Sequence, residues 1–201
     1  MTTTGRIQVL RAGERPATAW LNGGGVTREV AGSPAGAGLD SFDWRVSLAD
    51  VAAAGPFSAF PGIDRVITLV DGPGMALTVD GEEHLVDTPF RPFAFAGEAA
   101  TTCRLLDGPV VDFNVMTRRG RTTAELALAS APRVVGTPAD GTVLLVCLAG
   151  EAVIGDTASS DTVLGATVLG RYDAALLDGP GRYELRPDGV TAVVTFRPSP
   201  A

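Results

Sequence analysis

Val66-Ile-Thr-Leu-Val-Asp-Gly72 and Leu144-Leu-Val-Cys-Leu-Ala-Gly150 are short apolar runs, each closed by a glycine. A run of this kind bounded by turn residues reads as a buried strand. Downstream, Phe93-Ala-Phe-Ala-Gly97 resembles Ala175-Leu-Leu-Asp-Gly179, and Asp112-Phe-Asn-Val-Met116 corresponds to Ala192-Val-Val-Thr-Phe196. The offset stays at about 78 to 82 residues and the order is kept, as one β module used twice requires. The competing reading is chance likeness between short apolar strands. With a joint near Arg119–Asp140, the sequence predicts two modules, residues 1–120 and 121–201.

Working outward, the 25 Gly and 14 Pro of the 201 residues punctuate short runs rich in Val, Leu, Ile, Phe and Thr. That spacing predicts an all-β chain. Candidate strands are Phe42–Leu48, Arg65–Val70, Met75–Val79, Phe93–Phe95, Thr101–Leu106, Val111–Met116, Thr142–Leu148, Ala152–Ile154, Ala174–Leu177, Gly181–Leu185 and Thr191–Phe196. Turns are expected at Asp71–Gly74, Asp80-Gly81, Asp107–Pro109, Asp178–Gly181 and Asp188-Gly189, because Asp-Gly supplies the positive φ of tight hairpins. Thr122–Ser130 fits a short helix or a strand. Each module is expected to close as a small antiparallel barrel or jelly roll of the cupin kind. The first copy keeps polar residues where the second has Ala, Thr and Val, so a site belongs to the first, and the second is degenerate.

Composition excludes several chemistries. The formal charge of −7 is the opposite of a nucleic-acid footprint or an anionic-membrane binder. All 16 basic residues are Arg, which removes Schiff-base chemistry, pyridoxal phosphate attachment and lysine-bearing phosphate loops. His84, Cys103 and Cys147 are too few and too scattered for a usual zinc or iron site, so no metal and no cofactor are expected. His84 follows Asp80-Gly-Glu-Glu and reads as a solvated residue at a hairpin tip. The two cysteines read as free thiols in strand cores. The start, Met-Thr-Thr-Thr-Gly-Arg, lacks a leader pattern, and the apolar stretch Thr142–Ile154 falls short of a membrane span. A soluble, cytoplasmic protein is expected.

Three constellations carry polar chemistry. Trp20-Leu-Asn-Gly-Gly-Gly-Val-Thr-Arg-Glu29 brings main chain close either to a ligand or to another strand. In Phe42-Asp-Trp-Arg-Val-Ser-Leu48 alternation sets Phe42, Trp44, Val46 and Leu48 on one face and Asp43, Arg45 and Ser47 on the other. Asp112, Asn114 and Met116 share a face in the same way, so Arg45, Ser47, Asp112 and Asn114 are possible neighbours, looking either at solvent or into a barrel. Finally, Phe57-Ser-Ala-Phe-Pro-Gly-Ile-Asp-Arg65 puts Arg65 at a strand start, where it meets a ligand carboxylate or a neighbouring Asp.

Taken together, Trp20-x-Asn22-Gly-Gly-Gly-x-Thr27-x-Glu29, Phe42-x-Trp-Arg-x-Ser47, Gly55-Pro-Phe-Ser-x-Phe-Pro-Gly-x-Asp-Arg65 and Asp112-Phe-Asn-x-Met-x-Arg118 resemble the HutD/Ves family. The motifs cover about the first 120 residues; the remainder matches only in its β pattern. The resemblance implies a bicupin associated with histidine utilisation. It would bind a small carboxylate metabolite of the urocanate or N-formylglutamate class in a regulatory role, with no established catalytic activity. Arg45 and Arg65 would hold carboxylate; Asn22, Ser47, Asp112 and Asn114 would orient polar atoms; Trp20, Trp44 and Phe60 would wall the cavity. Gly24, Thr27, Glu29 and Met116 enter through the motifs alone. Leu21 departs from a frequent Lys of the family. The usual metal-binding cupins carry His-x-His with a later Glu and His, a pattern that His84 does not enter. A homodimer is expected, since cupin-like sheets often pair. Two other functions compete: a metal-independent isomerase or hydrolase with Asp112 or Glu29 as base, and an interaction protein with a filled barrel.

Overall fold

The computed structural model describes residues 6–156 and 166–200; of the N-terminal run read for a leader, all but Arg6 lies outside them. In chain order the strands are β1 Arg6–Leu10, β2 Ala17–Ala19, β3 Gly25–Ser33, β4 Trp44–Val51, β5 Gly55–Pro56, β6 Ile63–Asp71, β7 Met75–Val79, β8 Glu82–Val86 and β9 Pro92–Ala96. They continue as β10 Thr101–Leu105, β11 Val110–Arg118, β12 Thr122–Ala129, β13 Arg133–Gly136, β14 Thr142–Asp156, β15 Thr167–Leu169, β16 Ala174–Asp178 and β17 Arg182–Pro198. The helical structure among the described residues is a 3-10 turn at Ala12–Glu14, and none of it is long and apolar enough to cross a membrane. Thr122–Ser130, open between helix and strand in the sequence, is strand β12.

Two compact units result. Arg15–Thr122 forms one with the chain from Ser199; Thr123–Pro198 forms the other with the segment ending at Glu14. A boundary at residue 120 alone misplaces that first segment. Strand β1 pairs with β16 from Arg6↔Asp178 to Leu10↔Ala174, and Ile7 and Val9 pack on the second unit's core. Asp173 holds the end of the segment by accepting from Ala12 N and Arg11 Nη1, both at 2.7 Å. No local signal in the sequence marks a pairing of this range.

The strand orders explain the repeat. In the first unit a six-stranded sheet runs β2-β3-β4-β11-β6-β9 and a four-stranded sheet β5-β10-β7-β8. In the second, β16-β14-β17-β12 follows the pattern β9-β6-β11-β4. Beyond a corner, β13, the start of β17, the end of β14 and β15 repeat β5-β10-β7-β8. What differs is the corner. In the first unit Asp71–Gly74 and Asp107–Pro109 break both strands there, so these predicted turns join sheets rather than close hairpins. In the second, β14 and β17 continue, with a bulge between Cys147 and Ala149 and with Gly150 facing Gly189. Asp188-Gly189 is accordingly a bend within β17. Asp80-Gly81 is a true two-residue hairpin between β7 and β8, with φ of 49° and 90°, as its composition predicts.

Each unit has its own core. In the first, Val51, Ile67, Leu69 and Val110 meet Met75, Leu77, Val86 and Cys103 of the facing sheet. In the second, Val143 and Leu145 before the corner share a core with Ala152 and Ile154 beyond it, so one sheet folds over on itself. The bend requires Gly150: its φ is +69°, and a Cβ there would fall 1.7 Å from the Asp188 carbonyl oxygen. Gly150→Ala should therefore cost on the order of 3 kcal/mol, read as a lower midpoint in denaturant unfolding; an unchanged midpoint would show that the corner tolerates a side chain.

Candidate functional site

Strand register decides which side chains share the first unit's interior. Asp112 lies opposite Ala49 and Leu69, Asn114 opposite Ser47 and Ile67, and Met116 opposite Arg45 and Arg65. Directly opposed residues project to one face. Because Ala49, Ile67 and Leu69 belong to the core, the whole polar set looks inward. The same rows extend to Thr27 and Glu29 on β3, opposite Ala49 and Ser47, and to Phe95 and Phe93 on β9, opposite Arg65 and Ile67.

The two sheets of this unit leave edges that aromatic pairs close. Trp20, just after β2, stands edge-on to Phe57, just after β5, with centroids 6.3 Å apart. Its indole N–H donates to Thr27 Oγ1 at 2.7 Å. A Cβ on Gly25 would lie 2.5 Å from the Asp50 carbonyl oxygen and 3.1 Å from the Trp20 ring, so the glycine run serves approach to another strand. On the other edge Phe93 meets His84 at 4.9 Å. His84 is therefore not a solvated tip: it sits within β8 opposite Leu77 and shares that core residue's face.

Arg65 is buried beneath rings. Its guanidinium carbon lies 5.4, 5.5 and 5.0 Å from the centroids of Phe57, Phe60 and Phe95, within cation–π range. Its contact with the Ser58 carbonyl is 3.5 Å, beyond an ordinary hydrogen bond. Arg45 donates through Nε to Glu29 Oε2 at 2.7 Å. Side-chain exposure falls from 43% at Glu29 to 15% at Arg45, and residue exposure is 6% at Arg65 and 1% at Asp112, so the site deepens from β3 toward β11. Phe42, Ile63 and Met116 form a small cluster with Ala37 and Phe60 at the Arg65 end.

Burial governs the charges. It lowers the Arg65 guanidinium to about 10, with Asp112 opposing and Arg45 adding to the shift. It pushes the Asp112 carboxyl up to about 7, with Arg65 pulling it down and Asp50 adding to the rise. At neutral pH two arginines thus face Glu29 and a half-ionised Asp112, leaving an excess of positive charge. Arg65 Nε, Asp112 Oδ1 and Asn114 Oδ1 are buried without a hydrogen-bond partner. Native interiors rarely leave such groups unmatched, because each costs its desolvation.

Not every expected residue arrives here. Trp44 is buried on the other face of β4, with Val46 and Leu48, because its side chain alternates with Arg45. Phe42 precedes β4 and so escapes that alternation, packing instead beside Met116. Asn22 and Gly24 form a turn at the far end of β4: Asn22 Oδ1 accepts from Gly24 N at 3.0 Å, and Gly24 O accepts from Ala52 N at 2.9 Å. The contributors absent from the predicted set are Phe57, Phe93, Phe95 and His84. The alternation of Phe93-Ala-Phe95 carried the signal for two of them. Among the described residues no three of His, Cys, Asp and Glu come together as a metal site.

The model of the HutD family matches residues 12–195. This chain belongs to the HutD family. A Pseudomonas putida relative, described as an uncharacterised 21.2 kDa protein in the hutC 3′ region, is 38% identical over 176 residues, 87% of this chain and 88% of its own. HutD from Pseudomonas fluorescens SBW25 superposes with a TM-score of 0.83 at 35% identity, covering 97% of this chain and 100% of that one. Oxalate decarboxylase from Lactobacillus farciminis, at 9% identity and a TM-score of 0.64 over 95% and 86% of the two chains, shares the fold alone. The all-β, two-module cupin architecture of this HutD-family chain follows.

The raised Asp112 pKa has a consequence for stability. The folded state holds a proton from about pH 4, where the unfolded carboxyl titrates, to about pH 7, so stability falls as pH rises across that window and is level above it. Asp112→Asn should abolish the slope and gain up to about 4 kcal/mol at pH 8, with little change at pH 4. Denaturant unfolding at the two pH values checks this, and parallel pH profiles for both proteins would contradict it.

Proposed function

We propose that this HutD-family protein binds a small carboxylate metabolite of the urocanate or N-formylglutamate class within the first unit, without metal, and serves a regulatory role in histidine utilisation. One observation carries the reading: Arg65 is 6% exposed, and its guanidinium is caged by rings with Nε unpartnered. A buried cation so poorly hydrogen-bonded is expensive to keep, and an anion approaching its planar fork supplies the missing acceptors. Arg45 adds charge on the more exposed side. The histidine setting is supported by the names of the relatives, one from a hutC 3′ region and one a HutD. A second reading, proton transfer by Asp112 in an isomerase or hydrolase, draws on a carboxyl poised near neutrality beside Arg65.

A thermal-melting titration with urocanate, N-formylglutamate, formiminoglutamate, glutamate and histidine tests the proposal. One acid should raise Tm saturably, by about 2.7 kcal/mol of added stability at a hundredfold excess over Kd. Arg65→Val should fold, since an apolar side chain replaces a buried charge, yet lose the ligand shift. A flat wild-type response across the panel would defeat the proposal, and turnover of the bound acid would favour the second reading.

A further inference from the structure

Glu29 and Arg45 form an ion pair on the more exposed side of the site, and the backbone of β3 is arranged to make it. The inward row of β3 runs Thr27, Glu29 and then Gly32, opposite Ala49, Ser47 and Arg45, because a bulge at Val30 inserts one extra residue after Glu29. Bulges beside sites re-aim side chains in this way. The place directly across from Arg45 therefore carries no side chain. Glu29 fills it from the diagonal position, which long side chains can span. Its Oε1 would lie 3.4 Å from a Cβ on Gly32, and its Oε2 accepts from Arg45 Nε at 2.7 Å.

The two partners differ in what separation would cost them. Glu29 is the exposed member and Arg45 the largely buried one. The carboxylate can swing into water and recover its hydration, whereas the guanidinium requires a counter-charge where it stands. Asp112, at 1% exposure, has no such freedom. Arg45 also lies opposite Met116, as Arg65 does on the other side of β11, so two like charges share one row and Glu29 offsets part of their repulsion. We infer that Glu29 is an internal competitor of the ligand: it holds Arg45 as a replaceable counter-ion, and an incoming anion reaches Arg45 only by displacing it.

The exchange rests on the carboxylate reading and adds to it the residue that sets the affinity. Binding at Arg45 trades one charge-assisted hydrogen bond for another, so the worth of the Glu29 contact is lost to every acid that takes its place. Affinity is held below what two unmasked arginines would give, and the ligand leaves as readily as Glu29 returns. A binder that follows a changing concentration requires such reversibility.

Simple repulsion makes a different prediction. A negative charge near the site weakens anion binding through its field whether or not it touches Arg45. Side-chain length separates the two effects. Asp at position 29 keeps the charge but is one methylene shorter, which withdraws the carboxylate from hydrogen-bond range of Arg45. Gln keeps the length and loses the charge.

Isothermal titration of urocanate, N-formylglutamate, formiminoglutamate, glutamate and histidine into the wild type, Glu29→Gln and Glu29→Asp tests the competition. For the acid that the wild type binds most tightly, Glu29→Gln should tighten binding by about fivefold, the upper worth of an exposed ion pair, and Glu29→Asp by most of that factor. Melting curves confirm that both variants fold, as expected at an exposed position. Unchanged affinity in both variants, or a gain in Glu29→Gln alone, would overturn the competition. Weaker binding by Glu29→Gln would overturn it too, by making Glu29 a contact of the ligand. Each of these results leaves the carboxylate site standing. No binding of any of the five acids by the wild type would overturn the carboxylate reading and the competition with it.

Discussion

Much of what distinguishes the first unit follows from holding a guanidinium between its two sheets, at the edge of an apolar core. Arg65 is buried, ringed by Phe57, Phe60 and Phe95 and nearly devoid of protein hydrogen bonds. Rings offer a cation their π faces but no acceptor, so they offset part of its desolvation while leaving its hydrogen-bonding capacity free. A carboxylate placed in direct contact would neutralise the charge and fill the site. Asp112 instead influences Arg65 from the adjacent strand and is itself driven toward protonation by burial. The outcome is a cation that stays ionised at every physiological pH, facing an acid that is only half so.

Duplication makes this arrangement readable, because the second unit shows what the same scaffold does without it. There the two layers share continuous strands, β14 and β17, bent at the Gly150–Gly189 crossing, and the core is built of hydrophobic side chains with the buried Thr191 among them. In the first unit the matching strands break at Asp71–Gly74 and Asp107–Pro109, so the layers are separate sheets. Separation leaves open edges, and an open edge must be covered. Trp20 with Phe57 and Phe93 with His84 cover them. Phe57 also covers Arg65, and Phe93 stacks at 5.9 Å on Phe95, which does the same. Covering the sheet edges and building the site thus draw on one set of rings.

Much of this was legible in the sequence. Long, alternating strands announce themselves: Met75–Val79 coincides with β7, and Arg45, Ser47, Asp112 and Asn114 share a face because period-2 geometry leaves them no choice. The same rule excludes Trp44, whose family motif places it beside Arg45 in sequence and on the opposite face in space. Short edge strands such as β8, Glu82–Val86, were hidden by their exposed charges, and His84 was hidden with them. Strand β1 was hidden because its partner lies at the other end of the chain. Glycines misled in both directions. Gly150 and Gly189 look like stops but are bends in continuing strands, and the run at Gly23–Gly25, open in the sequence between a ligand and another strand, admits the Trp20 ring and the β4 backbone at Gly25.

The register of the repeat shows why distance along the chain is a poor guide to chemistry. Sliding Asp112–Met116 by one residue against β17 exchanges every inward side chain for an outward one. Under the sequence alignment Asp112 matches Ala192 and Asn114 matches Val194; under the structural one the partners are Thr191 and Val193. Only the second comparison sets interior against interior. It sets Arg65, Asp112 and Asn114 of the first unit against Val143, Thr191 and Val193 of the second.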